Sequence, residues 1–231
     1  MMYEIDYGSR KITFCVEFRR RTTMEIAVLP DGTVHIKAPI GTEENRILEK
    51  VHRRAAWIVR QQCYFEQFAL KTPARQYLSG ETHLYLGKQY RLKLVHQARC
   101  GVKINRGFLQ VFSPDLSPPA VQKILECYYR KRAREKYSEY LKRVAARLEL
   151  TTLPRLQIRV MKTNWGSMSP GGILLLNPEL IKAPVSCLEY VITHELCHLR
   201  YREHNAEFYG LLQSYLPDWE KRKLRLELSL L

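Results

Sequence analysis

The segment His194-Glu195-Leu196-Cys197-His198 constrains this chain of 231 residues more than any other part of its sequence. Two histidines four residues apart share one face of an α-helix, and from adjacent turns their imidazoles can reach a single metal ion. Glu195 would then lie to the side of the pair, close enough to hold a water molecule without binding the metal. The pattern therefore predicts a helix that carries two metal ligands and a general base.

The residues before this segment predict the helix itself. Ser186, with Glu189 three residues later, has the form of a capping box, and apolar residues recur at helical spacing up to Leu196. We expect the helix to run from Ser186 to about Arg200 and to be buried, as the helix of a metal site should be. The alternative is a pair of core histidines that meet by coincidence.

A third protein ligand is expected because a catalytic zinc site has three of them and one open position. His204 follows His198 by six residues, so it cannot share the same helical face, and the chain must leave the helix in between. The spacing matches the metzincin pattern H-E-x-x-H-x-x-G-x-x-H, with Tyr201 where that pattern has its glycine. Glu203 and Glu207 are the alternative ligands, and an exposed surface histidine is the alternative for His204.

The rest of the chain shows two kinds of periodicity. Alternation of polar and apolar residues predicts strands at 11–18, 24–29, 33–38, 84–95, 102–104 and 109–112, and helical spacing predicts helices from 42 to about 69 and from 120 to about 148. In the last third we expect a strand at 156–161, a hairpin turn at 164–170 leading through Gly171-Gly172 to a strand at 173–176, the site helix, a helix capped by Asn205, and a helical piece after Pro217. We find no internal repeat.

These elements predict an α+β fold. An N-terminal β-rich region with a long helix would precede a zincin-like half, in which a small sheet packs on the site helix. Pro114, Pro118 and Pro119 mark a linker, so a boundary near Ser113–Pro119 would separate residues 1–115 from residues 116–231. A single continuous domain is the alternative.

The charge of the chain favours anionic partners. There are 38 Lys and Arg residues against 23 Asp and Glu residues, a formal net charge of +15. No window of 18 apolar residues occurs and the first residues lack the pattern of a signal peptide, so we expect a cytoplasmic protein with no membrane partner. Aromatic and basic residues together can stack bases and hold phosphates, so the candidate nucleic-acid-binding residues are the cluster beside Tyr128 and Tyr129: Arg130, Lys131, Arg132 and Arg134.

At these residues the sequence resembles the YgjP-like metallopeptidases of bacteria, relatives of the SprT and Wss-type DNA-linked proteases. The similarity covers nearly the whole chain, and its most recognisable segments are KTNWGSM at 162–168, GILLLNPEL at 172–180, YVITHELCHL at 190–199 and HNAEF at 204–208. The resemblance implies a zinc-dependent hydrolase with one Zn²⁺, in which His194, His198 and His204 are the ligands and Glu195 is the base. Met168 departs from a cysteine that is common in the first of these segments.

Residues just before the site helix are candidates for substrate binding. A hairpin there can form the upper rim of a cleft, and its edge strand can pair with an extended peptide by β-augmentation. Trp165 could form the floor of a pocket or belong to the core, and Tyr201 could donate to an oxyanion or pack at the helix end. The candidate substrate-binding residues are Asn164, Trp165, Gly166, Ser167 and Tyr201.

Three functions are compatible with these observations. The first is a zinc metallopeptidase that acts on unfolded or nucleic-acid-associated protein, with Glu195 activating water at the metal. The second is a metal-dependent hydrolase of a nucleoside triphosphate or another small anionic substrate, which would suit the positive charge. The third is a nucleic-acid-binding module with a structural zinc. The sequence leaves the substrate and the oligomeric state open.

Overall fold

Two four-stranded sheets, each followed by a long helix, form the first two thirds of the chain in a computed structural model. The structure describes residues 2–8, 10–29, 31–66, 75–161 and 164–229. The chain divides into two compact units, Met1–Thr72 and Pro73–Leu230. Among the helices that the structure describes, none is both long enough and apolar enough to span a lipid bilayer.

The first unit is a mixed sheet with one helix. Its sheet has the order β1-β2-β4-β3, with β1 and β3 antiparallel to their neighbours and with β2 and β4 parallel. The elements are β1 (Met2–Tyr7), β2 (Arg10–Arg19), β3 (Glu25–Val28), β4 (Val34–Pro39) and α1 (Glu44–Glu66). The predictions of β2, β3, β4 and α1 are confirmed, whereas β1 was not predicted.

Alternation builds the core of this unit. One sheet face buries Ile12, Phe14, Val34 and Ile36, and the residues of α1 that share this core are Ile47, Val51, Ala55 and Ile58. Apolar residues recur at every second position in the strands and at helical spacing in α1, as the sequence predicts. The helix begins at Glu44, and the Thr42 hydroxyl donates to the Pro39 carbonyl (2.8 Å) instead of capping the first turn. The predicted end of the helix, at about residue 69, lies outside the described residues.

The second unit opens with the same arrangement of strands. Its first sheet has the order β5-β6-β8-β7, again with an antiparallel, a parallel and an antiparallel pair, and a long helix again follows the fourth strand. These elements are β5 (Thr82–Tyr85), β6 (Lys88–His96), β7 (Gly101–Asn105), β8 (Phe108–Ser113) and α2 (Pro118–Arg147). The chain therefore contains a ββββα repeat, which corrects the sequence analysis. The repeat preserves strand pairing, and pairing is not a local property of a sequence.

A tight turn interrupts the strand predicted at 84–95. Leu86 and Gly87 have φ angles of 50° and 76°, and two consecutive positive φ values are typical of the two-residue turns of β-hairpins. The turn divides the segment into β5 and β6. Its amides donate to a 3₁₀ turn at Pro178–Lys182, from Leu86 N to the Ile181 carbonyl (2.8 Å) and from Gly87 N to the Lys182 carbonyl (3.0 Å). The hairpin is therefore anchored directly before the site helix.

The prolines at 114–119 lead from β8 into α2. Ser117 is the N-cap residue of this helix and Pro118 and Pro119 occupy its first positions, where their missing N–H groups cost no hydrogen bond. The helix then packs on β7 and β8 and also on the last third of the chain. The buried residues of α2 share a single core with β8 and the last third of the chain, and the division into compact units lies between residues 72 and 73.

The last third of the chain completes the expected α+β fold. A three-stranded sheet of order β10-β11-β9 pairs β10 antiparallel and β9 parallel to β11. The remaining elements are β9 (Arg155–Ile158), β10 (Gly166–Met168), β11 (Ile173–Leu176), α3 (Val185–Cys197), α4 (Ala206–Tyr215) and α5 (Trp219–Ser229). Two expectations need correction. Pro184, not Ser186, is the N-cap residue of α3, and residues 166–168 form a strand where a turn was predicted.

A buried histidine lies in the second unit near the hairpin. His83 on β5 is 2% exposed, and its Nε2 has no hydrogen-bond partner among the described residues. Burial, together with the charges of Arg75 and Lys182 and against the opposing effect of Glu81, lowers the pKa of His83 to about 4. The folded protein therefore holds this imidazole neutral at a pH where the unfolded chain protonates it.

This difference makes the stability of the protein depend on pH. Between the ordinary pKa of histidine, about 6.5, and about 4, the unfolded state binds the extra proton, so stability falls as the pH falls. The contribution of His83 is at most about 1.4 kcal/mol per pH unit. Urea unfolding of metal-free protein at several pH values should show a shallower pH slope for His83→Gln than for the wild type. His96→Gln, at an exposed position, should keep the wild-type slope, and an unchanged slope in His83→Gln would contradict the assignment.

Candidate metal centre

Helix α3 positions two of the predicted ligands and the predicted base. It spans Val185–Cys197, so His194 and Glu195 lie in its last turn and His198 is its C-cap residue. The face between them is buried, with Val191, Ile192 and Leu196 in the core. His194 and His198 therefore project together from one end of a buried helix, as their i, i+4 spacing predicts.

His204 reaches the same point from the following loop. The chain leaves α3 after His198 and enters α4 at Ala206, where the side chain of Asn205 accepts from Phe208 N (2.9 Å) as the predicted N-cap. The Nε2 atoms of His194 and His204 lie 3.0 Å apart. One ring nitrogen from each of the three histidines falls within 4.8 Å of the others, so the three side chains could hold one metal ion.

A buried aromatic ring supports all three imidazoles. Phe208 is fully buried, and its ring centroid lies 4.9 Å from that of His194 and 4.7 Å from those of His198 and His204. Phe208 thus restricts how each ring can turn. In the sequence, Phe208 belongs to the recognisable segment 204–208, but no role was predicted for it. Its position one turn after His204 is the signal that could have identified it.

The tautomer of one ligand is set by the backbone. His198 Nδ1 lies 3.0 Å from the Tyr201 carbonyl, which can only accept, so Nδ1 carries the proton and Nε2 keeps its lone pair. Such a carbonyl contact to the second ring nitrogen is common for metal-binding histidines. Tyr201 thus orients His198 through its backbone carbonyl. Its side chain packs against the core, and Tyr201 is not among the described residues that line the cleft.

The electrostatics of the cluster suit a cation. Burial, followed by the nearby His204 and His198, lowers the pKa of His194 to about 3. Burial, followed by the charge of His198, also lowers the pKa of His204. Neutral imidazoles with free lone pairs are the form that binds metals, so the donor set fits a borderline metal ion such as zinc. The buried Nδ1 of His194 has no partner among the described residues.

Glu195 lies beside the histidines but is not one of the clustered donors. It is 7% exposed, and burial raises its pKa to about 7, while a hydrogen bond from the Met168 amide acts in the opposite direction. The residue opposite it is Gly166 in β10. A Cβ atom at that position would lie 2.8 Å from Glu195 Cγ and 2.9 Å from Oε1. The glycine therefore allows the strand to approach the carboxylate closely.

A cleft of about 650 Å³ opens over this cluster. The structure places Asn164, Trp165, Gly166 and Ser167 along it, together with His194, Glu195, His198 and His204. Tyr190, Arg202 and Lys223 also line it. Tyr190 lies one turn before His194 on α3 and contacts its ring, and Arg202 lies between His198 and His204, so their positions in the sequence connect both to the site. Lys223 comes from α5, and no local pattern connects it to the site.

The predicted basic cluster is divided by the helix that carries it. Lys131 and Arg132 line a groove on one side of α2, whereas Arg130 lines another pocket with Arg75 and Glu126. Neither group lines the cleft over the histidines. Neighbours on a helix are 100° apart, so a run of charges in the sequence does not form one surface.

Two histidines on one helix, an adjacent glutamate and a third histidine from the next loop define the class of HExxH metal sites. The chain belongs to the family of YgjP-like metallopeptidase domains, whose model matches residues 22–229. It is accordingly a member of a metallopeptidase family, as the resemblance indicated.

Two solved structures are similar to part of the chain. The metallopeptidase zymogen jannalysin of Methanocaldococcus jannaschii is 22% identical, with a TM-score of 0.36 over 39% of this chain and 92% of that chain. The metallopeptidase zymogen abylysin of Pyrococcus abyssi is 20% identical, with a TM-score of 0.35 over 38% of this chain and 87% of that chain. Among curated proteins, none matches the chain.

The contact between Gly166 and Glu195 yields a prediction about the site. In Gly166→Ala the new methyl group must displace the Glu195 side chain, while the three histidines keep their surroundings. We expect metal binding to be retained and kcat for peptide hydrolysis to fall about 100-fold, the usual effect of misplacing a reacting group by about 1 Å. Metal content and steady-state kinetics measure the two properties.

Gly171→Ala is the matched control for this variant. Its Cβ would meet only the Ser169 hydroxyl oxygen, at an ordinary 3.9 Å. Wild-type kinetics in Gly166→Ala, or equal losses in both variants, would show that the close approach to Glu195 has no part in the reaction.

Proposed function

We propose that the protein is a zinc metallopeptidase in which Glu195 is the general base and His194, His198 and His204 are the metal ligands. The observation that carries the proposal is the meeting of three imidazoles and one buried carboxylate at the floor of an open cleft. Membership of a metallopeptidase family supports the same reading. Three histidines with an open side match catalytic zinc sites, whereas structural sites are closed by four protein ligands.

Glu195 moves the proton in the proposed reaction. A bound zinc supplies a Lewis acid that acidifies water and polarises the scissile carbonyl. The Glu195 carboxylate takes the proton of the attacking water and delivers it to the leaving amine nitrogen. A pKa near 7 suits both steps, because the same group must be a competent base and then a competent acid. The Met168 amide holds the carboxylate in place between the steps.

The edge of the small sheet offers a way to bind an extended peptide. Strand β10 pairs with β11 along one edge. The Trp165 carbonyl accepts from Asn177 N and the Ser169 amide donates to the Ile173 carbonyl, so both groups point toward β11. Because successive residues of a strand alternate, the backbone groups of Gly166 and Met168 point the other way, toward the cleft. A peptide can pair with the Gly166 and Met168 carbonyls by β-augmentation, and its backbone would then lie across Glu195 and the three histidines.

The loop before β10 is held by a buried amide. Asn177 donates through Nδ2 to the Met161 carbonyl (2.8 Å) and to the Asn164 carbonyl (3.3 Å), and its Oδ1 accepts from Glu179 N. Its role is therefore structural. Trp165 lines the cleft and also packs against the core, so we assign it to the wall of the substrate site.

A second candidate function is hydrolysis of a phosphorylated small molecule. The observation that favours it is the pair of exposed cations, Arg202 and Lys223, on the cleft wall. Lys223 lies 4.0 Å from Glu227, whereas Arg202 forms no ion pair with any residue that the structure describes. The third reading, a nucleic-acid-binding module with a structural zinc, does not account for a buried carboxylate beside an open metal cluster.

The deciding experiment compares products. Zinc-loaded protein is incubated with unfolded protein and nucleoside triphosphates together, and the products are identified by mass spectrometry. Glu195→Gln should lower peptide release by about 10²- to 10⁴-fold, the usual contribution of a general base. Glu220→Gln, an exposed position on α5 outside the cleft, should match the wild type. Nucleoside mono- or diphosphates that depend on Glu195, without peptides, would replace the peptidase by the second candidate.

The ligand set has its own test. His204→Ala should weaken zinc binding more than 100-fold in a chelator competition, because it removes a ligand and not an outer contact, whose loss costs about 10- to 100-fold. Glu203→Gln and Glu207→Gln should keep wild-type affinity, since neither is grouped with the histidines among the described residues. If either glutamate variant loses zinc and His204→Ala does not, the third ligand is a carboxylate.

A further inference from the structure

A second large groove lies in the second unit, on the ββββα repeat. It has a volume of about 950 Å³ and runs between α2 and strands β6 and β7. We call it the α2 groove. It shares no described lining residue with the cleft over the histidines, and the proposed peptidase reaction makes no use of it.

The walls of the α2 groove are aromatic and apolar. Tyr90 from β6 and Tyr128 from α2 both line it and are partly exposed. Tyr85 lies behind Tyr128 with the ring centroids 6.2 Å apart, and Val102 and Ile104 continue the apolar surface along β7. Two partly exposed phenol rings on an apolar floor are a surface on which flat rings can stack.

The edges of the groove are basic. Lys123 and Lys131, one on each of two turns of α2, line it, are exposed, and form no ion pair with any other residue in the described part of the chain. Arg132 is engaged differently. It donates to the Tyr85 hydroxyl (3.0 Å) and to Glu135 (2.7 Å), the one acidic residue among the described lining residues. Two cations therefore remain available to an anionic partner.

The first ββββα repeat has a basic groove at the corresponding place. The buried helix positions Ile47 and Val51 of α1 correspond to Val121 and Leu125 of α2, because each pair opens the apolar face of its helix. In this alignment the residues of α1 that line a pocket of about 930 Å³ fall at the positions of Lys123, Ile124, Cys127 and Tyr128: they are Glu49, Lys50, Arg53 and Arg54.

Both repeats thus place cations beside the long helix, with different surroundings: the first pocket lies between α1 and residues 21–24 and 39–42, and the α2 groove lies between α2 and β7. The pocket of the first repeat is also lined by Arg21 and Arg46, but none of its described lining residues is aromatic. Stacking surfaces accompany the charges only in the α2 groove. A partner that uses both features must carry flat rings as well as negative charge.

We propose that the α2 groove binds single-stranded nucleic acid, with bases stacked on Tyr90 and Tyr128 and phosphates held by Lys123 and Lys131. Single strands present unstacked bases to aromatic side chains, whereas a duplex keeps its bases paired. An acidic peptide would use the lysines but has no recurring flat ring for the tyrosines. The cluster of charges seen in the sequence contributes Lys131, while Arg130 faces another pocket and has no part in the groove.

The test measures binding of a fluorescent oligothymidylate to the full-length, zinc-loaded Glu195→Gln variant. This background separates nucleic-acid binding from any hydrolysis, so the proposal and the peptidase can fail independently. The Lys123→Gln/Lys131→Gln double variant should bind at least about fivefold more weakly at low salt. Its plot of log K against log salt should flatten by about 1.4, which is about 0.7 for each lost phosphate contact on a single strand.

Arg130→Gln is the matched control, since it removes one positive charge from the adjacent position of the same helix. It should bind as the parent does, whereas Lys131→Gln should bind more weakly. Equal losses of affinity in Arg130→Gln and Lys131→Gln would show that binding follows net charge. That result would refute the α2 groove as the binding site.

Tyr90→Leu tests stacking while keeping an apolar side chain against the core. It should weaken binding by about 5- to 150-fold, the effect of one base–aromatic stack, with an unchanged melting temperature. Tyr128→Leu should behave in the same way. Unchanged affinity in both variants, tighter binding of a duplex of equal length, or no binding of the single strand at low salt would each refute the proposal.

Discussion

The contacts between Phe208 and the three imidazoles are the interaction on which the metal centre depends. His194 and His198 come from α3 and its C-cap and His204 comes from a loop, and the Phe208 ring packs against all three. Phe208 can occupy that place because Asn205 starts α4 immediately after the loop. The Asn205 cap fixes the start of α4, and α4 places the Phe208 ring against the three histidines. A local hydrogen bond therefore determines where the supporting ring lies. The Tyr201 carbonyl adds the orientation of His198.

The second ββββα repeat supports this centre from the other side. The turn between β5 and β6 donates two backbone hydrogen bonds to the 3₁₀ turn before α3, and Gly87 lies so close that a Cβ atom there would be 2.8 Å from Pro184. Tyr137 of α2 donates to the Asn177 carbonyl (2.9 Å). The repeat therefore fixes both the start of the site helix and the segment that carries β10. The site depends on a scaffold that contributes no described residue to the cleft wall.

The positive charge of the protein is distributed and not concentrated at the metal centre. The cleft holds Arg202 and Lys223, while larger groups of cations line the grooves of the two repeats. Burial, then the neighbouring imidazoles and Lys223, lowers the pKa of His194 and His204, which preserves their lone pairs for a metal.

The sequence by itself determined the local features: the helix with His194, Glu195 and His198 on it, the cap at Asn205, most of the strands and the α+β class. These follow from spacings of two to four residues, which define one face of a helix or strand wherever it lies. Only the tertiary structure decided the internal repeat, strand β10, the meeting of Gly166 with Glu195, and the separation of Arg130 from Lys131. The physical reason is that pairing and burial join segments far apart in the chain, and a local pattern records which face is apolar but not what covers it.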